Sequence, residues 1–381
     1  MRIVPTFLQR RTGTGTSALL CWLAAAALPL AHTTAGAEPA VINDNKQAPF
    51  MGIYSAPPPQ AIERTTQWAD WLGRKSVWAH ASYDPHFTKW EQIGEWTDWN
   101  LTPWEPWVKA DPSRRVVYSI PIIPKDSGCT LAEGAAGKYN ERYLPLARGL
   151  VSHGLGNSIL RLGWEFNGNW YAWSVKSPED ARNYAEYWRQ IVKTIRSVPG
   201  TQNLQFCWNG TITHAPFALE DAFPGNEYVD CVGVDVYDES WSGKSYPYPA
   251  NATPEQRLAC QKEAWSGWIT PELPAYGIAA WAKVAAAHKK PLCIPEWGLE
   301  RKELQKGVFN GGLDDPYFIE QMAHYINDPA NGVYFASYFN DDASTVLPAA
   351  GQSASQYPQA AAKLRALFSL PGSAAAAPAN R

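Results

Sequence analysis

A (β/α)8 barrel is the fold class this sequence predicts, and three observations predict it. Short β-rich runs recur eight times along the chain, and helical patterns lie between several of them. Two of the runs, far apart in sequence, carry a glutamate at their last or next-to-last residue. Strands alternating with helices indicate a parallel sheet, and eight such units suggest that the sheet closes on itself. Loops at the C-terminal ends of barrel strands build active sites, so the two strand-end glutamates mark the place to look for chemistry.

The elements follow in order. Residues 1–37 read as an export signal: Arg2, Arg10 and Arg11 form a positive n-region, residues 18–30 an apolar core, and Ala35, Gly36 and Ala37 a small-residue cleavage site. Its apolar core is too short to span a bilayer, and Sec export fits it better than a twin-arginine route. Cys21 lacks the small residue before it that a lipoprotein signal needs. The expected location is secreted or periplasmic, with no membrane anchor. Residues 38–370 are the expected barrel domain, and residues 371–381, rich in Ala and Pro, read as a disordered tail.

The eight runs are residues 51–55, 76–80, 115–123, 158–166, 204–209, 229–237, 291–296 and 332–339. Helical patterns cover residues 141–152, 276–288 and 316–326. A further helix opens at Ser177, with Pro178 at its first position and Glu179 and Asp180 in its first turn. Two connections read as long Trp-bearing loops on the C-terminal rim. The second carries Trp90, Trp96, Trp99, Trp104 and Trp107, and the sixth, residues 238–273, carries Trp241, Tyr246, Tyr248, Trp265 and Trp268.

Composition narrows the function classes. The chain has 33 basic and 36 acidic residues; without the three arginines of the signal, 30 stand against 36, a net charge near −6. That argues against nucleic acid and anionic lipid as partners and suits a neutral polymer. The 19 Trp, 18 Tyr and 12 Phe exceed what a core alone explains, and flat aromatic faces stack on sugar rings. Five cysteines remain after processing. Cys207, Cys231 and Cys293 fall in predicted strands and pack as small apolar residues; Cys129 and Cys260 fall in predicted loops, where an oxidising compartment would allow a disulfide and the odd count also allows free thiols. The seven His are scattered, so neither metal nor cofactor is implied, and the motifs of serine hydrolases, zinc proteases and phosphate loops are missing from the sequence. A monomer is expected.

The chemistry centres on residues 160–173. Alternation puts Arg161, Gly163 and Glu165 on one strand face and Leu160, Leu162 and Trp164 on the other. A polar, Gly-bearing turn and three aromatics follow. The second acid, Glu296, ends the run at residues 291–296. Two carboxyls at the ends of two parallel strands are what glycoside hydrolysis needs: one protonates the leaving oxygen, and the other attacks the anomeric carbon or activates water.

Arg161, Glu165, Asn167, Gly168, Trp170, Tyr171 and Trp173, with Pro295, Glu296, Trp297 and Gly298 downstream, form a pattern that resembles glycoside hydrolase family 26. That family holds mainly β-mannanases, with some β-1,3-xylanases and mixed-linkage β-glucanases, in a clan of retaining (β/α)8-barrel glycosidases. The resemblance implies Glu165 as acid/base at the end of strand 4 and Glu296 as nucleophile at the end of strand 7. Tyr237, ending strand 6, is implied as a hydrogen-bond donor to Glu296, and Trp170 and Trp173 as walls of the cleavage point. The chain departs from the family where His usually precedes the acid/base; here Trp164 stands.

Other expectations come from the residues. An arginine beside Glu165 would lower its pKa, the wrong direction for an acid, so Arg161 is assigned to orient the site from beneath or to pair with another carboxylate such as Asp235. Asp235 shares the inward face with Tyr237. His80, Trp208, Asn209, Trp96 and Trp104 are further candidates for sugar contact, and Trp297 is expected to point away. The resemblance implies retaining endo-hydrolysis of a β-linked polysaccharide, with β-1,4-mannan, the family's commonest substrate, first. A bacterial exopolysaccharide or another β-glucan or β-xylan is the second reading, and a non-catalytic sugar-binding barrel the third.

Overall fold

In the computed structural model, residues 49–58, 60–74, 77–341, 343–348 and 354–369 are described. The expected signal at residues 1–37 and the tail at residues 371–381 lie outside these residues.

Eight parallel strands close into a barrel: β1 (Phe50–Tyr54), β2 (Trp78–Ser82), β3 (Val116–Ile120), β4 (Ile159–Leu162), β5 (Gln205–Thr211), β6 (Cys231–Tyr237), β7 (Leu292–Gly298) and β8 (Val333–Phe339). Strand β8 pairs with β1, so no sheet edge is left open. Each of the eight predicted runs overlaps one of these strands. Around them lie α1 (Ala61–Leu72), α2 (Glu91–Leu101), α3 (Trp104–Ala110), α4 (Leu131–Ala135), α5 (Leu144–Ser152), α6 (Pro178–Arg196), α7 (Pro254–Ala264), α8 (Ile278–Ala287), α9 (Pro316–Asn327) and α10 (Pro358–Phe368). A small antiparallel hairpin, Lys302–Gln305 with Val308–Asn310, follows β7.

Helix α6 shows why these segments fold as they do. The Ser177 side chain accepts from the Asp180 amide at the N-cap, Pro178 opens the helix, and Tyr184, Tyr187, Trp188, Ile191 and Ile195 bury one stripe against the barrel. Fully burying one such side chain contributes about 1.5–3 kcal/mol. Outward-facing strand residues complete this outer core, where Trp208, Trp281 and Trp297 are fully buried.

Inside the barrel the side chains form layers. Phe50, Trp78, Val117, Ile159, Cys207, Cys231, Cys293 and Phe335 make a buried apolar layer. Two residues further along β2, β3, β4 and β5, alternation brings His80, Ser119, Arg161 and Asn209 into one polar layer. All five cysteines of the described region are free thiols, so Cys129 and Cys260 do not pair.

Three expectations need correction. The strand predicted over residues 158–166 stops at Leu162, because Gly163 (φ 51°) and Glu165 (φ 50°) turn left-handed. The second connection is helical, not irregular: Ile93, Thr97, Asn100 and Leu101 recur at helical spacing and are buried in α2. Its five tryptophans suggested a loop by composition and masked that period. The sixth connection likewise contains α7, started by a reciprocal Thr253–Gln256 capping box and continued by a π turn, Trp265–Ile269.

Candidate active site

Strand β4 carries Arg161 into the middle of the barrel, with no exposed surface. Its Nη2 donates to Asp235 Oδ2 at 2.6 Å, and its Nη1 to Glu296 Oε1 at 2.7 Å and Ser119 Oγ at 2.8 Å. Its Nε donates to Asn209 Oδ1. Burial opposes the charge on this guanidinium, but Asp235 and Glu296 outweigh it and hold the group protonated. The pairing with Asp235 is present, and Arg161 also grips Glu296.

His80 sits beneath the same group. His80 Nδ1 faces the Pro295 carbonyl at 3.2 Å, and a carbonyl can only accept, so in the neutral ring Nδ1 carries the proton and Nε2, 2.8 Å from Ser119 Oγ and 2.9 Å from Arg161 Nη1, is the acceptor. Burial first, and the Arg161 charge second, push the imidazole pKa well down, which fits this neutral tautomer. His80 is 2% exposed and braces the floor of the site; it does not face the opening as a sugar contact would.

Glu296 reaches the interior by a bulge. Gly233 on β6 pairs with Cys293 and Val236 with Trp297, so β7 has one residue more than β6 over this stretch. Strand β8 shows the same offset, with Ala336 opposite Ile294 and Tyr338 opposite Trp297. The extra residue turns Glu296 inward and Trp297 outward, where Trp297 packs on Tyr338 and Phe318. The Glu296 amide donates to Asp235 Oδ1 at 3.1 Å, and Tyr237 Oη donates to Glu296 Oε2 at 2.8 Å. Burial and then the Glu296 charge keep the Tyr237 phenol protonated, so it stays a donor.

Glu165 is aimed from the left-handed turn after β4, with its amide bonded to the Asn209 carbonyl at 3.0 Å. One carboxyl oxygen each from Glu165, Asp235 and Glu296 lie within 4.8 Å of one another. Burial, then the Glu296 charge, push the Glu165 carboxyl up to about 8; the Trp170 hydrogen bond and the Arg161 charge pull less strongly the other way. Glu165 therefore keeps its proton at neutral pH, beside a Glu296 side chain gripped by two donors, Arg161 and Tyr237. Two carboxyls with environments this different suit an acid and a nucleophile.

The remaining predicted contacts divide. Trp170 is 45% exposed, and its indole N–H donates to Glu165 Oε2 at 2.8 Å. Trp173 is fully buried: it stacks on Tyr171 and donates to the Trp164 carbonyl at 2.8 Å, so it supports the wall from behind. Trp208 points outward from β5 and packs on Phe166 and Trp281, whereas Asn209, its neighbour, points in. Trp104 is fully buried against Trp107. Trp96, unlike Trp104, borders open space, a cavity of about 490 Å3 shared with Ser82, Asp84, Trp99 and Asn100.

Sequence reasoning missed Tyr54 and Phe339, which stack at 4.2 Å at the ends of β1 and β8. Phe339 meets the Tyr237 ring edge-on at 6.2 Å, and Tyr54 meets His80 at 5.8 Å. The strand-end rule that singled out the two glutamates would have found both. Tyr171, part of the sequence motif but given no role there, feels the same site: burial raises its phenol pKa first, and the charges of Glu165 and Glu296 raise it further.

Residues 157–250 match the model of glycosyl hydrolase family 26. The family 26 segment contains β4, Glu165, Asn209, Asp235 and Tyr237; Glu296 lies beyond it and joins the site through barrel closure. Among curated proteins none matches the chain. Two solved structures share the fold. The YdhT protein from Bacillus subtilis aligns with a TM-score of 0.55 at 13% identity, covering 87% of this chain and 88% of its own. The catalytic domain of the family 26 endo-β-1,4-mannanase of Bacillus sp. JAMB-750 aligns with a TM-score of 0.54 at 14% identity, covering 87% and 89%. The family model matches residues 157–250, and the barrel is the fold that both structures share.

Proposed function

We propose that the chain is an exported retaining endo-β-glycosidase, with β-1,4-mannan as its leading substrate. The observation that carries the mechanism is the separation of the two carboxyls, with oxygens of Glu165 and Glu296 within 4.8 Å of each other. Retaining enzymes hold this pair about 5–5.5 Å apart, whereas inverting enzymes leave about 6.5–9.5 Å for a water.

Glu296 attacks the anomeric carbon while Glu165 gives its proton to the departing glycosidic oxygen, and the C–O bond breaks. Water then gives a proton to Glu165 and attacks the same carbon, which releases Glu296 and regenerates both groups. Arg161 and Tyr237 hold the Glu296 carboxylate in one orientation through the first step. Mannan as substrate is supported by the family signature and by the activity named for the Bacillus sp. JAMB-750 relative. Trp164 favours a second reading, a bacterial exopolysaccharide: it replaces the family's usual His and packs on Tyr171 and Trp173 behind the acid, which changes the wall the sugar meets. Export is supported by the charge and apolar pattern of residues 1–37.

Proton NMR of the first product from β-mannan tests the mechanism. The β-anomer is expected to appear first, and Glu296→Ala and Glu165→Ala are each expected to abolish turnover while the folded protein still binds oligosaccharide. An α-anomer first would overturn double displacement, and near-normal turnover by either variant would overturn the residue assignment.

A further inference from the structure

A second cavity, of about 810 Å3, is lined by Tyr248, Arg257, Gln261, Arg301, Phe309 and Tyr357, among other residues, and by none of the groups assigned to the cleavage step. Arg257 comes from α7, Arg301 from the segment after β7, and Phe309 from the small hairpin. The Arg257 guanidinium lies 4.9 Å over the Tyr248 ring, and the Arg301 guanidinium 4.8 Å over the Phe309 ring. Neither makes a side-chain hydrogen bond or ion pair with a described residue.

Stacking uses the flat face of a guanidinium and leaves its N–H edge free, which orients the group without spending its donors. Tyr248 is itself fixed: its hydroxyl donates to the Gly312 carbonyl at 3.0 Å and accepts from Gln261 at 3.0 Å. The acid that lines the cavity, Asp314, is occupied by the Gln359 and Ala360 amides, at 3.2 and 2.8 Å, at the start of α10. Among the described lining residues, two oriented cations therefore stand against one carboxylate, Asp314, and the cavity is left net positive. Planar forks of this kind match planar carboxylates bidentately. The volume falls in the range of organic-ligand pockets and exceeds what a single small anion fills. Amide side chains of Gln261 and Gln356 on the lining suit hydroxyl groups.

We infer that this cavity is a second saccharide site, which takes a carboxylate-bearing oligosaccharide such as a short uronic acid chain. The inference goes beyond the hydrolytic reading and stands or falls apart from it. A bound acidic segment here would hold a charged polymer on the enzyme while another part of it is cut.

The test is titration of the full chain with α-linked trigalacturonate, whose linkage a β-glycosidase does not cut, followed by calorimetry at low salt. Saturable one-to-one binding is expected. Arg257→Ala and Arg301→Ala should each weaken it by about tenfold or more, the loss that follows from removing a charged hydrogen-bonding group. Arg301→Lys should recover only part of the affinity, because it keeps the charge without the fork. Mannotriose binding should stay unchanged in all three variants. Melting curves check folding, and both arginines are exposed, so their loss leaves the core intact. No trigalacturonate binding, or binding that survives both alanine variants, overturns the inference. Inorganic phosphate competing at equal affinity overturns it too, since the cavity would then be a simple anion site.

Discussion

The indole nitrogen of Trp170 lies 2.8 Å from Oε2 of Glu165, five residues earlier in the chain. The hydrogen bond favours the ionised carboxylate, yet burial and Glu296 prevail and leave Glu165 raised to about 8. The first prediction follows. Turnover should hold through neutral pH and fall as pH rises through about 8, where the acid loses its proton. Trp170→Phe removes an interaction that favours the ionised form, so the alkaline limb should move to higher pH. A limb that stays in place or moves to lower pH would show that the indole does not tune this group.

The same shift predicts a stability effect. The folded pKa of Glu165 lies above its unfolded value, so the folded state binds the proton more tightly across the interval between about 4.5 and about 8. Folding stability must decline as pH rises through that window. Glu165→Gln cannot ionise and should flatten the decline, with a gain over the parent at pH 9 on the order of a few kcal/mol. Denaturant melts of both proteins at pH 5 and pH 9 check the sign.

Arg161 should be indispensable to the fold as well as to catalysis. Arg161→Met leaves Asp235 and Glu296 buried without their cation, a loss of about 3–5 kcal/mol for breaking such a pair. Tyr237→Phe removes one donor from Glu296 with little change in volume. It should lower kcat by about ten- to a hundredfold, with melting temperature nearly unchanged. Equal losses of stability in both variants would mean that Tyr237 packs rather than positions.

The tryptophans of α2 and α3 should separate by position. Trp104→Ala empties a fully buried site and should cost about 3–5 kcal/mol of stability, with oligosaccharide affinity intact in what remains folded. Trp96→Ala and Trp99→Ala border the cavity beside Ser82 and Asp84, and should weaken long oligosaccharides more than short ones. Calorimetry against a chain-length series reads the difference.

How legible all this was in the sequence depended on the kind of signal. Barrel closure was readable, because eight apolar runs each need a buried position and a closed parallel sheet supplies it. The two glutamates were readable because strand ends place side chains at the mouth. The direction of each tryptophan was not. Trp170, Trp173, Trp104 and Trp208 share one composition signal, and only the turn at Gly163 and the period of α2 decide which of them meets solvent. The left-handed backbone at Glu165 was hidden because a glutamate gives no hint of positive φ, unlike a glycine. The neutral His80 was hidden because its partners come from β3, β4 and β7.

The bulge in β7 makes the aim of Glu296 a matter of counting. Cys293 and Glu296 both face inward although an odd number of steps separates them, so strict alternation would put one of them outside. The strand thus has a frame, shifted once between Ile294 and Trp297, as in a message read from a displaced start. Removal of one residue there would leave composition, charge and hydropathy almost untouched. It would swing the carboxylate into the outer core and bring an indole to the mouth of the barrel. Among sequences of this pattern, tolerance to substitution at Pro295 and tolerance to its deletion are therefore separate properties, and the second should be close to nil.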